Sequence, residues 1–355
     1  MTRTVIRGAR VAVAATPLKR PFVTALGRRT HTENVGVTLR LSGGAEGYGE
    51  ASTSLAMKHL TAPALARVLS KLARGVEGRD ARDWKALVAG AWRRAPDFSP
   101  AVAALECALV SALANEAGVP LASWFGGASR RLETDLTLSA WTEAEITRAA
   151  AAEAARDGFK VLKIKVGGAF ADDLARVRAA REGAPKARIL LDGNQGLTPR
   201  GSLKLVEAVL KLGAKVDLLE QPVRKDDLKG MAFVSKRSPV PVAADESVAT
   251  PAQAARVLEL GAATAINIKL AKSGLSRGLE IASVARAAKV PLMIGCMAET
   301  ARGLAASVHF ALGTGFFRFA DLDSDVLLVE PATARTSAGW ARRGAEISLI
   351  ELSTN

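Results

Sequence analysis

Cysteine, histidine and tyrosine are all scarce in this chain, and each scarcity closes off a class of function. The two cysteines, Cys107 and Cys296, lie far apart and in no CxxC arrangement. That argues against a disulfide framework and a cysteine-ligated zinc site, reads both thiols as small buried apolar groups, and points to a reducing, cytoplasmic setting. The three histidines, His31, His59 and His309, have no spacing that suits a metal or a catalytic triad, and read as structural. The glycines form no P-loop or dinucleotide fingerprint, and there is no nucleophile elbow. With one tyrosine and aromatics at 5% of the chain, few rings are on hand to stack on bases. Basic residues outnumber acidic ones, 49 to 35, for a net charge of +14. They are scattered, as Arg40, Arg74, Arg148, Arg200, Lys229, Arg286 and Arg342 show, and form no tract. Nucleic acid is therefore not expected as a partner, although the charge favours anionic small molecules by steering.

Long hydrophobic runs are missing as well. The most apolar long stretch, Ala101–Val119, is interrupted by Glu106, Asn115 and Glu116 and reads as a buried helix, so no membrane partner is expected. Arg3, Arg7 and Arg10 precede only a short apolar run, Val11–Ala15, too brief for a signal-peptide core.

What is present is a folded-protein composition, 49% hydrophobic and 24% charged. From about residue 130 to 325 one theme repeats: a short apolar or β-branched run ends in a polar residue and an Ala/Leu/Arg-rich amphipathic helix follows. The candidate strands are Asp135–Ser139, Val161–Lys165, Arg188–Asp192, Val216–Glu220, Val240–Asp245, Ala265–Lys269, Leu292–Gly295 and Arg318–Asp321. Eight strands alternating with helices predict an α/β fold, a (β/α)8 TIM-like barrel. Its last unit lacks a full helix, so closure is expected to be modified. Alternation in residues 1–50, as in Val35–Leu41, and the turn Ser42-Gly43-Gly44 predict strands, with helices from Ala51 to Gly118. The tail Glu330–Ser353 reads as strand, turn, strand. Residues 1–125 are expected to form the N-terminal part of an α+β capping domain, residues 126–325 the catalytic barrel, and residues 326–355 a segment returning to the cap.

The informative residues finish the strands. Lys165, Asp192, Glu220, Asp245 and Lys269 follow one another at intervals of 24 to 28 residues, one βα unit each. In such a barrel all five converge on one mouth. Taken singly, Asp192, Glu220 or Asp245 reads as a helix cap. Three carboxylates on consecutive strands need a cation, and oxygen-only donors suit Mg²⁺ or Mn²⁺ with positions left open for water or substrate. Lys163 and Lys165 on the second strand face Lys269 on the sixth, four strands away and across the mouth. Beside a divalent cation and a second lysine, an ammonium gives up its proton more readily and becomes a usable base. Two such bases flanking one metal-held carboxylate remove a proton from one face and return it on the other. Lys160 and Lys272 read as surface charge.

These residues resemble the muconate-lactonizing-enzyme subgroup of the enolase superfamily over nearly the whole chain. Lys163-Ile164-Lys165 is similar to the KxK motif, Asp192-Gly193-Asn194-Gln195 to the third-strand ligand, and Glu220-Gln221-Pro222 to the fourth. Ala244-Asp245-Glu246-Ser247 resembles the fifth, and Asn267-Ile268-Lys269 the sixth-strand lysine. The resemblance implies Mg²⁺ on Asp192, Glu220 and Asp245, with Mn²⁺ as a substitute, and a metal-held enediolate that Lys163 helps to stabilise. It implies Lys165 as base towards the L residue and Lys269 towards the D residue, and assembly as a homo-oligomer.

Lactonization, dehydration to o-succinylbenzoate, N-acylamino-acid racemization and dipeptide epimerization share this core. Asp321-Leu322-Asp323 resembles the DxD motif of dipeptide epimerases, which grips a free α-ammonium, and Gly295–Thr300, with Met297, resembles their seventh-strand segment. A dipeptide is thus the expected substrate, with Thr137 of the first strand among its contacts. An N-acylamino-acid racemase or o-succinylbenzoate synthase is the alternative within the subgroup, and a catalytically silent binding barrel the alternative outside it. Specificity is expected in the capping loops, Pro17–Arg29 and about Glu50–His59, where Phe22 either lines the pocket or packs the loop. Alanyl-glutamate epimerases carry arginine after P-F-x-T-A-L; here Gly27 stands there, followed by Arg28 and Arg29. Either Arg28 takes over that arginine's place, or the pocket accepts a neutral or cationic side chain. A one-residue displacement redirects a side chain considerably, which favours the second.

Overall fold

Period-two alternation in eight short segments builds the centre of the molecule. The computed structural model describes residues 4–350. Parallel strands β5 (Leu136–Leu138), β6 (Val161–Lys165), β7 (Arg188–Asp192), β8 (Val216–Glu220), β9 (Val242–Ala244), β10 (Ala265–Lys269), β11 (Leu292–Gly295) and β12 (Phe317–Asp321) lie side by side in chain order. Five have the predicted bounds; the first and fifth are shorter by one or two residues at each end, and the eighth starts one residue earlier. Leu162, Ile164, Ile189, Leu191, Leu219, Ile266, Ile268 and Ile294 point outward into the main core. The alternate residues Leu190, Leu218, Ala243, Ala265 and Met293 fill the barrel's lower interior. Two residues further along the same faces stand the polar side chains of Lys163, Asp192, Glu220, Asp245, Asn267 and Asp321, with the bare backbone of Gly295 among them, because successive side chains alternate faces.

The outer helices are α5 (Ala144–Arg156), α6 (Phe170–Gly183), α7 (Pro199–Lys211), α8 (Leu228–Arg237), α9 (Pro251–Glu259), α10 (Leu270–Ala287) and α11 (Ala301–Thr314). Their starts are legible chemistry: Thr198, Thr250 and Thr300 each cap a helix, and Thr250 with Gln253 forms a reciprocal capping box. After β12 only the single turn α12 (Ser324–Leu327) follows, the modified closure the sequence predicted. Among the described residues no ladder joins β12 to β5. Asp135 N and Thr134 Oγ1 donate instead to Ala320 O at 2.9 and 3.1 Å, and Leu322 N donates to Thr134 Oγ1 at 2.7 Å.

The N-terminal layer is a long antiparallel hairpin, β1 (Ile6–Thr24) and β2 (Gly27–Leu41), with β3 (Glu46–Ser52) beside β2. Val35, Val37, Leu39 and Leu41 bury one face of β2 against α1 (Ala62–Arg74), α2 (Trp84–Arg94) and α3 (Ser99–Glu116). Helix α3 is buried on nearly every side: Leu105 and Leu109 join this layer's core, while Cys107, Val110 and Ala114 join the barrel's. Its Glu106 accepts from Leu275 N (2.8 Å), Ser276 N (2.9 Å) and Ser276 Oγ (2.5 Å), where Gly274 (φ 68°, ψ −174°) interrupts α10. No helix among the described residues is long and apolar enough to cross a membrane.

Beyond the short α4 (Leu121–Trp124), β4 (Arg131–Glu133) leads into the barrel. The C-terminal tail corrects the sequence expectation. After α13 (Thr333–Thr336), strands β13 (Trp340–Arg343) and β14 (Glu346–Leu349) pair with each other and with β4, not with the N-terminal sheet. Trp340 and Ile347 are wholly buried in the barrel's core, which is the better apolar surface within their reach. Among the described residues the tail meets the N-terminal layer at the Leu18–Leu328 bridge and by a hydrogen bond from Val329 N to Pro17 O. The last five residues of the predicted tail segment lie outside the described residues.

Candidate active site

The upper ends of the strands open into a cavity of about 310 Å³ roofed by the tip of the β1–β2 hairpin and by residues 54–57. Beneath its floor lies a buried lattice of opposite charges. Lys163 Nζ, at 0% side-chain exposure, stands 2.7 Å from Asp321 Oδ2, 2.7 Å from Glu220 Oε2 and 3.0 Å from Asp192 Oδ2. Lys165 Nζ donates to Asp192 Oδ2 at 2.6 Å and lines the cavity. Across the mouth, Lys269 Nζ is 2.8 Å from Asp245 Oδ2 and also lines it. Glycine at position 295 makes room: a Cβ there would meet Asn267 Oδ1 and Lys269 Cε at 2.8 Å.

Charge and burial compete at each group. Burial alone would raise Asp192 and Asp245, but the ammonium groups around them (Lys163 and Lys165 for the first, Lys269 and Lys272 for the second) hold both below the usual carboxylate range. Glu220 goes the other way, pushed up to about 8 by burial and by the neighbouring Asp192. Burial would lower Lys163 and Lys269, yet the surrounding carboxylates, Asp192 and Asp321 first for the former and Asp245 for the latter, raise both. Lys163 also does not reach the cavity, so its charge acts through the carboxylates it touches. Lys272, read from sequence as surface charge, is buried with its ammonium 2.6 Å from Asp245 Oδ1.

The donor set suits a hard divalent cation. Asp192, Glu220 and Asp245 offer only oxygen, from rigid strand ends. Glu220 Oε2 has no aligned hydrogen-bond donor, and Asn267 Oδ1 beside it has none either. Asn267 Oδ1 is thus an acceptor left open, among the described residues, where the sequence predicts a metal, while Glu220 Oε2 has the Lys163 ammonium 2.7 Å away. Gln221 ties these ends together. Its Nε2 donates to Val223 O (3.0 Å) and Ser247 Oγ (2.9 Å), and its Oε1 accepts from Asp245 N (2.9 Å) and Ser247 N (3.2 Å). Its backbone is held at φ 30°, the left-handed region that ordinary residues avoid.

A second acidic group stands at the barrel seam. Asp321 and Asp323 line the cavity. Thr137 N donates to Asp323 Oδ2 at 2.6 Å, and Thr137 Oγ1 to Asp321 Oδ1 at 3.4 Å. Burial would raise Asp321, but Lys163 keeps it low; burial, then the Asp321 charge, pushes Asp323 up to about 6. Asp135, which the sequence reading did not single out, joins them, with one oxygen of each of the three within 4.8 Å of the others.

The roof corrects the reading of the arginines. Arg28 faces a separate surface cavity with Arg20, Trp141 and Glu143. Arg29 lines the central one, because neighbouring strand residues point to opposite faces. Arg29 Nη1 donates to Thr53 O at 3.0 Å, its guanidinium lies 5.8 Å from the Phe22 ring centre, and burial lowers it to about 10. Phe22 lines the cavity, 5.7 Å from Lys165 Nζ. Gly27 (φ 144°) faces Lys58 and Leu55 instead. Met297 lines the opposite wall beside Ala298. That wall is stitched to the N-terminal sheet: Asn34 Nδ2 donates to Ala298 O (2.9 Å), and Glu50 accepts from Asn34, Tyr48 OH and the amide and hydroxyl of Thr300. Glu50 and Gln221 are visible in sequence only as polar residues at strand ends, a signal too common to separate them from caps.

Residues 6–126 match the model of the mandelate racemase / muconate lactonizing enzyme N-terminal domain, and residues 145–339 that of the enolase C-terminal domain-like family. An aromatic dipeptide epimerase of Herpetosiphon aurantiacus is 35% identical over 95% of this chain and 94% of its own length. An L-Ala-D/L-Glu epimerase of Bacillus subtilis is 36% identical over 97% of this chain and 93% of its own. A dipeptide epimerase from Enterococcus faecalis, solved with Mg and the dipeptide L-Leu-L-Tyr, superposes with a TM-score of 0.90 at 28% identity, covering 98% of both chains.

Proposed function

The chain belongs to the mandelate racemase / muconate lactonizing enzyme family of the enolase superfamily, and from that premise we propose that it is a magnesium-dependent dipeptide epimerase. The observation that carries the reading is the pairing, in one cavity, of two lysines on opposite sides with two carboxylates at the seam. The carboxylates suit a free α-ammonium, which neither an N-acyl amino acid nor a muconate possesses.

Asp192, Glu220 and Asp245 would hold Mg²⁺, with Mn²⁺ as a substitute. When bound, the ion supplies positive charge against which negative charge on the substrate's carboxylate is stabilised. The chain's own residues do the rest. Asp321 and Asp323 grip the N-terminal ammonium and so fix the α-carbon of the second residue between Lys165 and Lys269. One lysine, as the free amine, takes the α-proton; the other, as the ammonium, returns a proton to the opposite face. Lys163 balances the carboxylates from below. Phe22, Arg29 and Met297 bound the space left for the side chain. The two free, buried cysteines support a cytoplasmic setting.

Epimerization in D₂O tests the scheme. Deuterium is expected at the α-carbon of the C-terminal residue, and Lys165→Ala or Lys269→Ala is expected to slow epimerization by about 10²–10⁴-fold. Undiminished exchange from both the L,L and L,D substrates in Lys165→Ala would sink the two-base assignment.

A further inference from the structure

A carboxyl group without a donor sits at the barrel seam, next to the acids that face the cavity. Asp135 is 2% exposed, and neither of its carboxyl oxygens accepts a hydrogen bond among the described residues. Its backbone amide is already committed to Ala320 O. The neighbours it does have are the oxygens of Asp321 and Asp323. Those two are supplied from elsewhere, by Lys163 and Thr137. Lys163, the ammonium that bears most on Asp135, is itself divided among Asp192, Glu220 and Asp321. Cys296, at the end of β11, faces Asp321 and Asp323 and brings no positive charge. Lys165 and Lys269 bear on Asp321 and line the cavity, which Asp135 does not.

Acceptor thus confronts acceptor in a dry interior, and a charge left there without a partner is strongly disfavoured. A single proton converts the conflict into a hydrogen bond. We propose that Asp135 is a neutral carboxylic acid that donates a hydrogen bond to Asp321, and so acts as a positioning residue for the two carboxylates that face the cavity. Burial and the charges of Asp321 and Asp323 push its pKa well up, in agreement with the geometry. Keeping Asp135 neutral leaves Asp321 and Asp323 as the charged face. Asp321 is then braced from three sides, by Lys163, Thr137 and Asp135.

The kinetic part of the test rests on the dipeptide reading; the spectroscopic part does not. The protein labelled with ¹³C-aspartate is examined by infrared absorption at a pH well above the value of about 6 for Asp323. A carboxylic-acid carbonyl band that shifts with the label, and is lost in Asp135→Asn, is expected. Absence of a label-sensitive acid band in the parent protein overturns the proposal without any variant having to fold. In turnover, Asp135→Ala is expected to raise KM for a free-amine dipeptide about tenfold, with a smaller fall in kcat, by loss of a hydrogen bond to a charged group. Asp135→Asn keeps the donor and is expected to recover most of that loss. If Asp135→Asn is as damaging as Asp135→Ala, a negative charge is needed at this position and the proposal is wrong. A parent enzyme that binds Mg²⁺ but turns over no dipeptide refutes the functional reading alone, since the infrared result still decides the state of Asp135.

Discussion

Replacing Gln221 by leucine should weaken divalent-metal binding while leaving all three proposed carboxylate ligands in place. The side-chain amide uses its full capacity, two hydrogen bonds given and two received, and so joins the turn after β8 to the turn that carries Asp245. Leucine fills similar space and offers none of the four. Asp245 N and Ser247 N then lose their acceptor inside the protein, at about 1–3 kcal/mol each if nothing relaxes. The left-handed backbone at φ 30°, now unsupported, adds to the pressure to rearrange. The turns will move to recover donors, and Glu220 and Asp245 will move with them. Groups that orient ligands in this way are typically worth about 10–100-fold in metal affinity, or about 1.4–2.7 kcal/mol. Calorimetric titration of the substrate-free protein with Mn²⁺, alongside thermal unfolding to show that the variant is folded, measures the effect directly. A folded Gln221→Leu protein with the parent's Mn²⁺ affinity would show that the ligand spacing does not depend on this amide, and the reasoning would fail.

Two further outcomes follow from buried carboxylates. Glu106→Ala strips the acceptor from Leu275 N and Ser276 N at the break in α10, and should cost about 3–4 kcal/mol, seen as a fall in Tm of roughly 4–5 °C for a chain of this length; a loss below about 1 kcal/mol means the break is held by other contacts. Glu299 is pushed up to about 8 by burial and then by Glu50, against an ordinary value of 4.5. A raised carboxyl stabilises the fold fully below pH 4.5, and that contribution drains away as pH rises through about 8. Urea unfolding at a series of pH values should therefore show a decline across that window, flattened in Glu299→Gln; an unchanged slope in the variant assigns the decline to other groups.

The barrel was legible because its chemistry repeats. Most strands end in or beside a polar residue one βα unit from the last, and period-two alternation then dictates which neighbours go inward. Lys165, Asp192 and Glu220 therefore stand at the inward ends of their strands. What stayed hidden depends on contacts between distant segments. Arg29 rather than Arg28 lines the cavity because of the phase of β2 against the roof, which a loop motif does not encode. Lys272 reads as surface charge in a helix of small and polar residues, yet its place three residues after Lys269 turns it back onto Asp245. The tail's two strands are visible in sequence, but their partner, the three-residue β4, is too short to advertise itself. Asp135 is an ordinary strand-start residue until the last strand is laid beside the first.

The stitch between Glu50, Asn34 and the Ala298–Thr300 wall has a consequence for how such an enzyme changes occupation. The anchoring residues sit on the stem of the hairpin and on β3, while Phe22, Gly27 and Arg29 ride at its tip. Drift at the tip can therefore recut the side-chain pocket without loosening the stem, provided that Phe22, 5.7 Å from Lys165 Nζ, is kept. Selection for a new substrate side chain can then act on the hairpin tip alone. The same partition offers the protein engineer a graft with a ready-made joint: exchange the tip, keep the stem, and the catalytic floor should not notice.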